Sequence, residues 1–213
     1  QWSTFSEVAS LARLELDPAQ IPTKVREVCS VLHQHGEKAW IVGGCLRDLL
    51  LGRPVSDWDL ATTARPERVV SVFRRTIPTG IKHGTVTVMW KGEAFEVTTL
   101  RGEGAYTDGR RPDHVFYVDR IEDDLGRRDF TVNAIAYDPV DGSLADPFGG
   151  LEDLEARVLR AVGDPVARFS EDGLRILRGA RFAATLDFEV EPETEAAFRP
   201  TLDVFRRVSA ERV

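Results

Sequence analysis

The sequence predicts an α+β fold, a small mixed sheet followed by helices, and three observations predict it. Residues 85–90 and 94–100 alternate polar and apolar side chains with the period of two that half-buried strands require. Lys91, Gly92 and Glu93 join them as a short hairpin turn. From Leu151 onward the apolar spacing becomes helical, so strands and helices are segregated along the chain.

The elements follow in order. Residues 4–15 and 20–35 carry helical periodicity, with Pro22 near the start of the second helix. Residues 39–42 form a short apolar strand leading into a turn at Gly43 and Gly44. A brief helix over 47–51 is ended by Gly52 and Pro54. A strand over 56–62 carries two aspartates, and an amphipathic helix over 66–75 opens on Pro66. After the hairpin comes a loop over 101–119 rich in Gly, Asp and Arg, of a length that is usually functional or disordered. Residues 130–137 read as a further strand. No internal repeat or low-complexity tract is present.

Composition narrows the class. At 213 residues the chain fits one large domain, or one domain and part of a second. It is 42% hydrophobic and 30% charged, the balance of an ordinary soluble globular protein. No apolar run approaches the roughly 18 residues that cross a bilayer, and no signal-peptide pattern is read at the start of this sequence. Cys29 and Cys45 do not form a disulfide framework, so a cytoplasmic location is expected. His33 and His35 read as a polar helix end rather than a metal site. The chain starts at Gln1 and stops at Val213, where Ser209 to Glu211 resemble the start of another helix, so a longer protein is expected.

The net charge of −7 argues against a generic nucleic-acid coat, which is basic overall. Arginines are nevertheless concentrated locally, at Arg110 and Arg111, at Arg127 and Arg128, and along Arg168, Arg175, Arg178 and Arg181. Such patches bind phosphates while the remaining surface stays acidic.

The densest chemistry lies in Gly43-Gly44-Cys45-Leu46-Arg47-Asp48, followed by Asp57-Trp58-Asp59-Leu60. Residues i and i+2 of a strand share a face, so Asp57 and Asp59 are expected to project together. Two adjacent carboxylates repel unless a cation lies between them, and hard oxygen ligands suit Mg²⁺ held with substrate phosphates. The glycines let the backbone approach a polyphosphate, and Arg47 can pair with its oxygens. The other reading is a surface turn with two solvated aspartates. Glu96 faces away from Phe95 and Val97 and is the natural third carboxylate, unless it is a solvent-facing hairpin residue. Three acids could hold two Mg²⁺ ions roughly 3.5–4 Å apart.

Arg127-Arg128-Asp129-Phe130-Thr131-Val132-Asn133-Ala134 packs polar groups where a strand is expected, and buried polar groups need partners. They could hold a ribose and phosphates, with Asn133 bonding a sugar hydroxyl or locking Asp129. Residues 171–181 read as one helix with polar residues every third position. Asp172 and Arg175 are i, i+3 neighbours on it, and an acceptor beside a donor matches a base edge. An intrahelical salt bridge explains the same pair. Spacing of three drifts by about 60° per step, which turns Arg181 about half a turn from Asp172.

With these motifs the chain resembles the class II tRNA nucleotidyltransferases, the CCA-adding enzymes and bacterial poly(A) polymerases. The resemblance runs from about Trp40 to Phe182. It rests on four motifs in order: residues 43–59, residues 127–134, Asp146-Pro147-Phe148-Gly149-Gly150 with Asp153, and Glu171-Asp172-Gly173-Leu174-Arg175. It implies a nucleotidyltransferase-type head over 38–150, a helical neck over 151–213 carrying the nucleotide-recognition helix, and body and tail regions absent from this sequence. Residues 1–37 would be an N-terminal helical segment.

The resemblance also implies roles. Asp57 and Asp59 would bind catalytic Mg²⁺ with Glu96 completing the set. Gly43, Gly44 and Arg47 would hold the triphosphate, and Arg128 with Asp129 and Asn133 the sugar. Asp172 and Arg175 would select C or A over G and U, supported by Arg178 and Arg181. The segment around residues 146–153 would be a hinge.

The implied activity is addition of CMP and AMP from CTP and ATP to the tRNA 3′ end, with no protein partner. A CC-adding enzyme would have a shortened loop, whereas here Arg101, Tyr106, Asp108, Gly109 and Arg110 belong to a full-length one. An A-adding enzyme keeps the loop and is the nearest rival. A poly(A) polymerase usually has a different loop sequence and a basic tail. A non-catalytic nucleotide or RNA sensor is opposed by the intact Asp57, Asp59 and Glu96.

Overall fold

The structure, a computed structural model, describes residues 16–103 and 115–209. The expected helix over 4–15 and most of the 101–119 loop, including Tyr106, Asp108, Gly109 and Arg110, lie outside the described residues.

Helix α1 (Thr23–Gln34) buries Val25, Val28, Cys29 and Leu32, the spacing of one helical face. Strand β1 (Ala39–Val42) is buried along its whole length. Ala39 and Ile41 join the apolar layer that contains the buried face of α1, and Trp40 and Val42 join a second layer on the other side. A strand covered on both faces belongs inside a sheet, and β1 has a neighbour on each edge. Helix α2 (Gly44–Leu50) follows it, then β2 (Asp59–Thr62) and α3 (Pro66–Val72).

Strands β3 (Thr76–Gly80), β4 (Thr85–Trp90) and β5 (Glu93–Thr99) extend the sheet on one side. A separate two-stranded ribbon joins β6 (Arg101–Glu103) to β7 (Val115–Tyr117). Helix α4 (Ile121–Gly126) precedes the short β8 (Ala136–Tyr137) and β9 (Leu144–Ala145). The seven-stranded order is β3-β4-β5-β2-β1-β8-β9. Every pairing in it is antiparallel except β2 with β5. The fold class is α+β, as the sequence predicts.

The C-terminal part adds α5 (Gly150–Ala156), β10 (Val158–Leu159), α6 (Pro165–Glu171), α7 (Leu174–Leu186), β11 (Glu189–Val190) and α8 (Pro192–Phe205). The link between β10 and α6 is bonded to the segment before β8 through main-chain bonds from Thr131 N–H to Arg160 (2.9 Å) and from Val162 N–H to Asp129 (3.0 Å). The parallel pair β10–β11 interrupts what the sequence presents as continuous helix.

Several expected boundaries shift for physical reasons. The hairpin turn has only two central residues, Lys91 and Gly92, both with positive φ, as a type I′ turn requires; Glu93 already pairs with Trp90. The helix expected over 66–75 stops at Val72, and β3 was missed because Pro78 and Gly80 weaken a strand signal. At the sheet edge, where β3 lies, both are tolerated. Residues 130–137 are a 3₁₀ turn, Thr131–Asn133, leading into β8, rather than one strand. The turn lies so close to α5 that a Cβ on Gly150 would come 2.3 Å from the Thr131 carbonyl oxygen.

Candidate active site

Asp59 opens β2 directly opposite Glu96 in the parallel pairing with β5. Phe95, Val97 and Leu60 point into the layer shared with α1, so alternation turns Asp59 and Glu96 to the other face. Asp57 precedes the strand instead of lying on it, because β2 begins only at Asp59. Simple alternation therefore does not align the two aspartates as expected. They still line one cavity of about 520 Å³ together with Glu96, while Trp58 packs against the core. Ser56 Oγ donates to Asp57 Oδ2 at 3.0 Å.

The Asp59 carboxyl is open to the cavity, yet its pKa is raised. Partial desolvation by neighbouring protein atoms is the main cause, repulsion from Glu96 and Asp57 adds to it, and Arg128 opposes it. Such a set of hard oxygens under mutual repulsion fits Mg²⁺. Among the described residues no three His, Cys, Asp or Glu side chains converge closely enough to enclose an ion by themselves. An ion held here would take the rest of its shell from water or phosphate oxygens.

Asp59 also lines a second cavity of about 570 Å³, walled by six arginines and three aspartates. Gly43 forms its floor with φ +75°, a conformation for which glycine is suited, and a Cβ there would lie 3.1 Å from Arg128 Nη1. Arg128 Nε is buried without a hydrogen-bond partner. A donor in that state at the wall of an open cavity is suited to an anionic or polar ligand.

Arg47 lies in the wall with its guanidinium engaged. Nε and Nη2 donate to Asp48 at 3.0 Å each, and Nη1 donates to Asn133 Oδ1 at 2.7 Å. Asn133 Nδ2 donates in turn to Asp129 Oδ1 at 3.0 Å, and Arg178 Nε donates to Asp129 Oδ2 at 2.7 Å. Asn133 thus locks Asp129, one of the two roles expected for it. Burial alone would raise the Asp129 carboxyl, but Arg178, Asn133 and the Phe130 N–H hold it below the ordinary carboxylate range.

Residues 171–181 are not one helix. Helix α6 ends at Glu171, Asp172 is extended at φ −144° and ψ 109°, and α7 starts at Leu174. The i, i+3 helical geometry expected for Asp172 and Arg175 is therefore replaced by a helix junction, where Asp172 Oδ1 accepts from Leu174 N at 3.0 Å. Arg175 is buried; it pairs with Glu171 and donates to the Arg168 and Arg127 carbonyls at 2.9 and 3.0 Å.

Residues 39–160 match the family model described as the poly A polymerase head domain. The chain belongs to that family. It is 48% identical over 194 residues to the CCA-adding enzyme of Lactobacillus johnsonii, covering 91% of this chain and 48% of the relative. The CCA-adding enzyme of Geobacillus stearothermophilus is 50% identical over 182 residues, 85% of this chain and 45% of the relative. The crystal structure of the Bacillus stearothermophilus CCA-adding enzyme in complex with CTP aligns with a TM-score of 0.82 at 45% identity, over 92% of this chain and 46% of that one. The chain spans about half the length of the curated relatives it matches.

Within this poly A polymerase head-domain chain, the arginine-lined cavity gathers Gly43, Gly44, Arg47, Arg128, Asp129, Asn133, Asp172, Arg175, Arg178 and Arg181. Arg181 reaches the wall although the spacing argument turned it away, because Asp172 is not on its helix. Asp57 and Glu96 line the adjoining cavity instead, and Arg101 lines a third space of about 260 Å³ beside Asp59, Glu96 and Arg128.

Sequence reasoning missed Phe182. The guanidiniums of Arg47, Arg178 and Arg181 lie 5.0–5.1 Å from its ring centroid, and Phe130 meets it edge-on at 5.9 Å. Its signal was its place at the end of the arginine series. Asp124 was also missed, being one of three acids in a helix first turn.

Proposed function

We propose that this chain is the catalytic part of a template-independent tRNA nucleotidyltransferase, adding CMP and AMP from CTP and ATP to the tRNA 3′ end and releasing pyrophosphate. The observation that carries this reading is Asp59, which lines both the carboxylate cavity and the arginine-lined cavity. A chain with a net charge of −7 that gathers six arginines in one cavity is built to take a polyanion there. The CCA-adding enzymes it resembles, one of them in complex with CTP, support a nucleoside triphosphate as that polyanion.

In this reading the tRNA 3′ hydroxyl attacks the α-phosphate in line. Asp57 and Asp59 hold Mg²⁺, and Glu96 completes the acidic set. When bound, the metal lowers the pKa of the attacking hydroxyl and neutralises triphosphate charge in a two-metal manner. Arg128 and its neighbours hold the sugar and phosphates and offset charge on the departing pyrophosphate, so catalysis comes from positioning and electrostatics. Asp172 and Arg175 present an acceptor and a donor to the base edge, with Arg175 steadied by Glu171 and two main-chain carbonyls. The helices after residue 150 serve as the neck, and the protein acts in the cytoplasm; among the described residues no helix is long and apolar enough to cross a membrane.

The test is incubation of the full-length protein with tRNA ending before CCA, in C, or in CC, with labelled CTP or ATP and Mg²⁺. Incorporation of two CMP and one AMP is expected. AMP incorporation only onto tRNA ending in CC gives the A-adding reading, and no incorporation on any substrate overturns the enzyme assignment.

A further inference from the structure

Asp124 lies in α4, outside every motif that the sequence singled out, and its side chain is only 2% exposed. It nevertheless accepts four hydrogen bonds. Oδ1 takes Nε and Nη2 of Arg127 at 3.0 Å each and the main-chain N–H of Arg101 at 3.2 Å. Oδ2 takes Nη2 of Arg128 at 3.0 Å. An ionised carboxylate is acceptor-only, so this ring of guanidinium and main-chain donors suits its charged form. Burial would raise its pKa, but the two arginines and the Arg101 N–H hold it below the ordinary carboxylate range.

The partners connect different parts of the molecule. Arg128 borders Gly43 and acts electrostatically on Asp59, on the metal side of the cavity. Arg127 lines the same cavity, and its main-chain carbonyl accepts from Arg175 Nη2 on the base side. Arg101 is the first residue of β6, whose pairing with β7 forms the ribbon at the base of the 101–119 segment. One buried carboxylate therefore links that ribbon with both walls of the cavity.

We propose that Asp124 is a positioning residue that fixes the Arg127 and Arg128 guanidiniums for the bound nucleotide and couples them to the β6–β7 ribbon. The inference rests on the reading of the cavity as a nucleoside triphosphate site. Occupation of Arg128 by phosphate draws on the guanidinium that Asp124 holds, and the Arg101 N–H shares that carboxylate. Ligand binding thus stiffens the ribbon, with no contact between ligand and ribbon required.

The test uses the full-length protein with CTP and Mg²⁺, without tRNA, so that no turnover occurs. Hydrogen exchange is followed at the amides of β6 and β7, alongside CTP affinity and the thermal midpoint. In the wild type, CTP slows exchange in the ribbon about tenfold. Asp124→Asn keeps the shape but presents an amide N–H₂ to guanidinium donors. It binds CTP about tenfold more weakly, and at saturating CTP its ribbon exchange stays at the unliganded rate. Asp124→Glu, which restores the charge, recovers part of the slowing.

A merely structural carboxylate would lower the thermal midpoint in Asp124→Asn while leaving the CTP-induced slowing intact, and that result overturns the proposal. If the variant does not fold, the wild type decides: ribbon amides that ignore CTP while CTP binds overturn the coupling. A wild type that binds no CTP overturns the site reading itself, and the coupling with it.

Discussion

Asp129 remains ionised in the interior because Arg178, Asn133 and the Phe130 N–H outweigh the cost of burying it. A carboxyl whose folded pKa is depressed contributes stability that is fully present above its unfolded value, about 3.9, and is lost as pH falls through the folded value. Asp124 is depressed in the same direction. Urea titrations are therefore expected to show stability falling steeply below about pH 4. Asp129→Asn should cost about 1–3 kcal/mol at neutral pH and flatten that acid slope; an unchanged slope would remove Asp129 from the account. Asp57 and Asp59, the proposed metal ligands, behave differently, because they are exposed at the cavity and make little of the fold. Asp57→Ala or Asp59→Ala should lower CMP and AMP incorporation by more than about a hundredfold with a near-native thermal midpoint. Near-normal turnover in Mg²⁺ would sink the metal assignment. At the base side, Asp172→Ala or Arg175→Ala should relax discrimination against UTP and GTP by about 1–3 kcal/mol per lost edge contact. Unchanged preference with lower stability would make the pair structural. The residues that line the arginine-rich cavity stood out in the sequence because polar groups are chemically unusual where they stand, as with Arg127, Arg128 and Asp129 before Phe130. Their mutual bonds, Asn133 to Asp129 or Arg127 to Asp124, were not readable, since these depend on which elements meet.

Elements explain the larger disagreements. Alternation in β4 and β5 was legible because one face of each strand packs on the α1–α3 side, and Glu96 lies on the opposite face, as that pattern gives. The break between α6 and α7 was not, because polar residues every third position, Asp172, Arg175, Arg178 and Arg181, run on as if the helix were continuous. Gly173 was its signal, and packing gives the reason. A Cβ on Gly173 would lie 2.5 Å from the main-chain N and Cα of Phe205 in α8, a contact that neither backbone can relieve alone. Its φ of −59° suits any residue, so the constraint is contact rather than conformation. Gly173→Ala should destabilise by about 1–3 kcal/mol through overpacking, lowering the melting midpoint by about 2–4 °C per kcal/mol for a chain of this size. Because the same junction carries Asp172, the variant should also raise KM for CTP. A full-strength midpoint would show that α8 yields easily and that Gly173 is not what sets the junction.

At the scale of the whole molecule, the proposed function requires one cavity to accept C and then A. The 101–119 segment is too long and polar for a plain connection between strands. Its base reaches the cavity along a physical route: Arg101 N–H to Asp124, Asp124 to Arg127, and the Arg127 carbonyl to Arg175. Displacement of the segment after two cytidines have been added would shift that route and reshape the pair Asp172 and Arg175 to fit adenine. Deleting about half of residues 101–119 in the full-length enzyme is therefore expected to leave CC addition nearly intact and to remove A addition. The assay compares labelled CTP on tRNA lacking CCA with labelled ATP on tRNA ending in CC. Normal A addition by the deleted enzyme would show that the adenine fit is set within the cavity itself. Loss of both additions would instead give the segment a part in holding every nucleotide, contrary to a role confined to the last step.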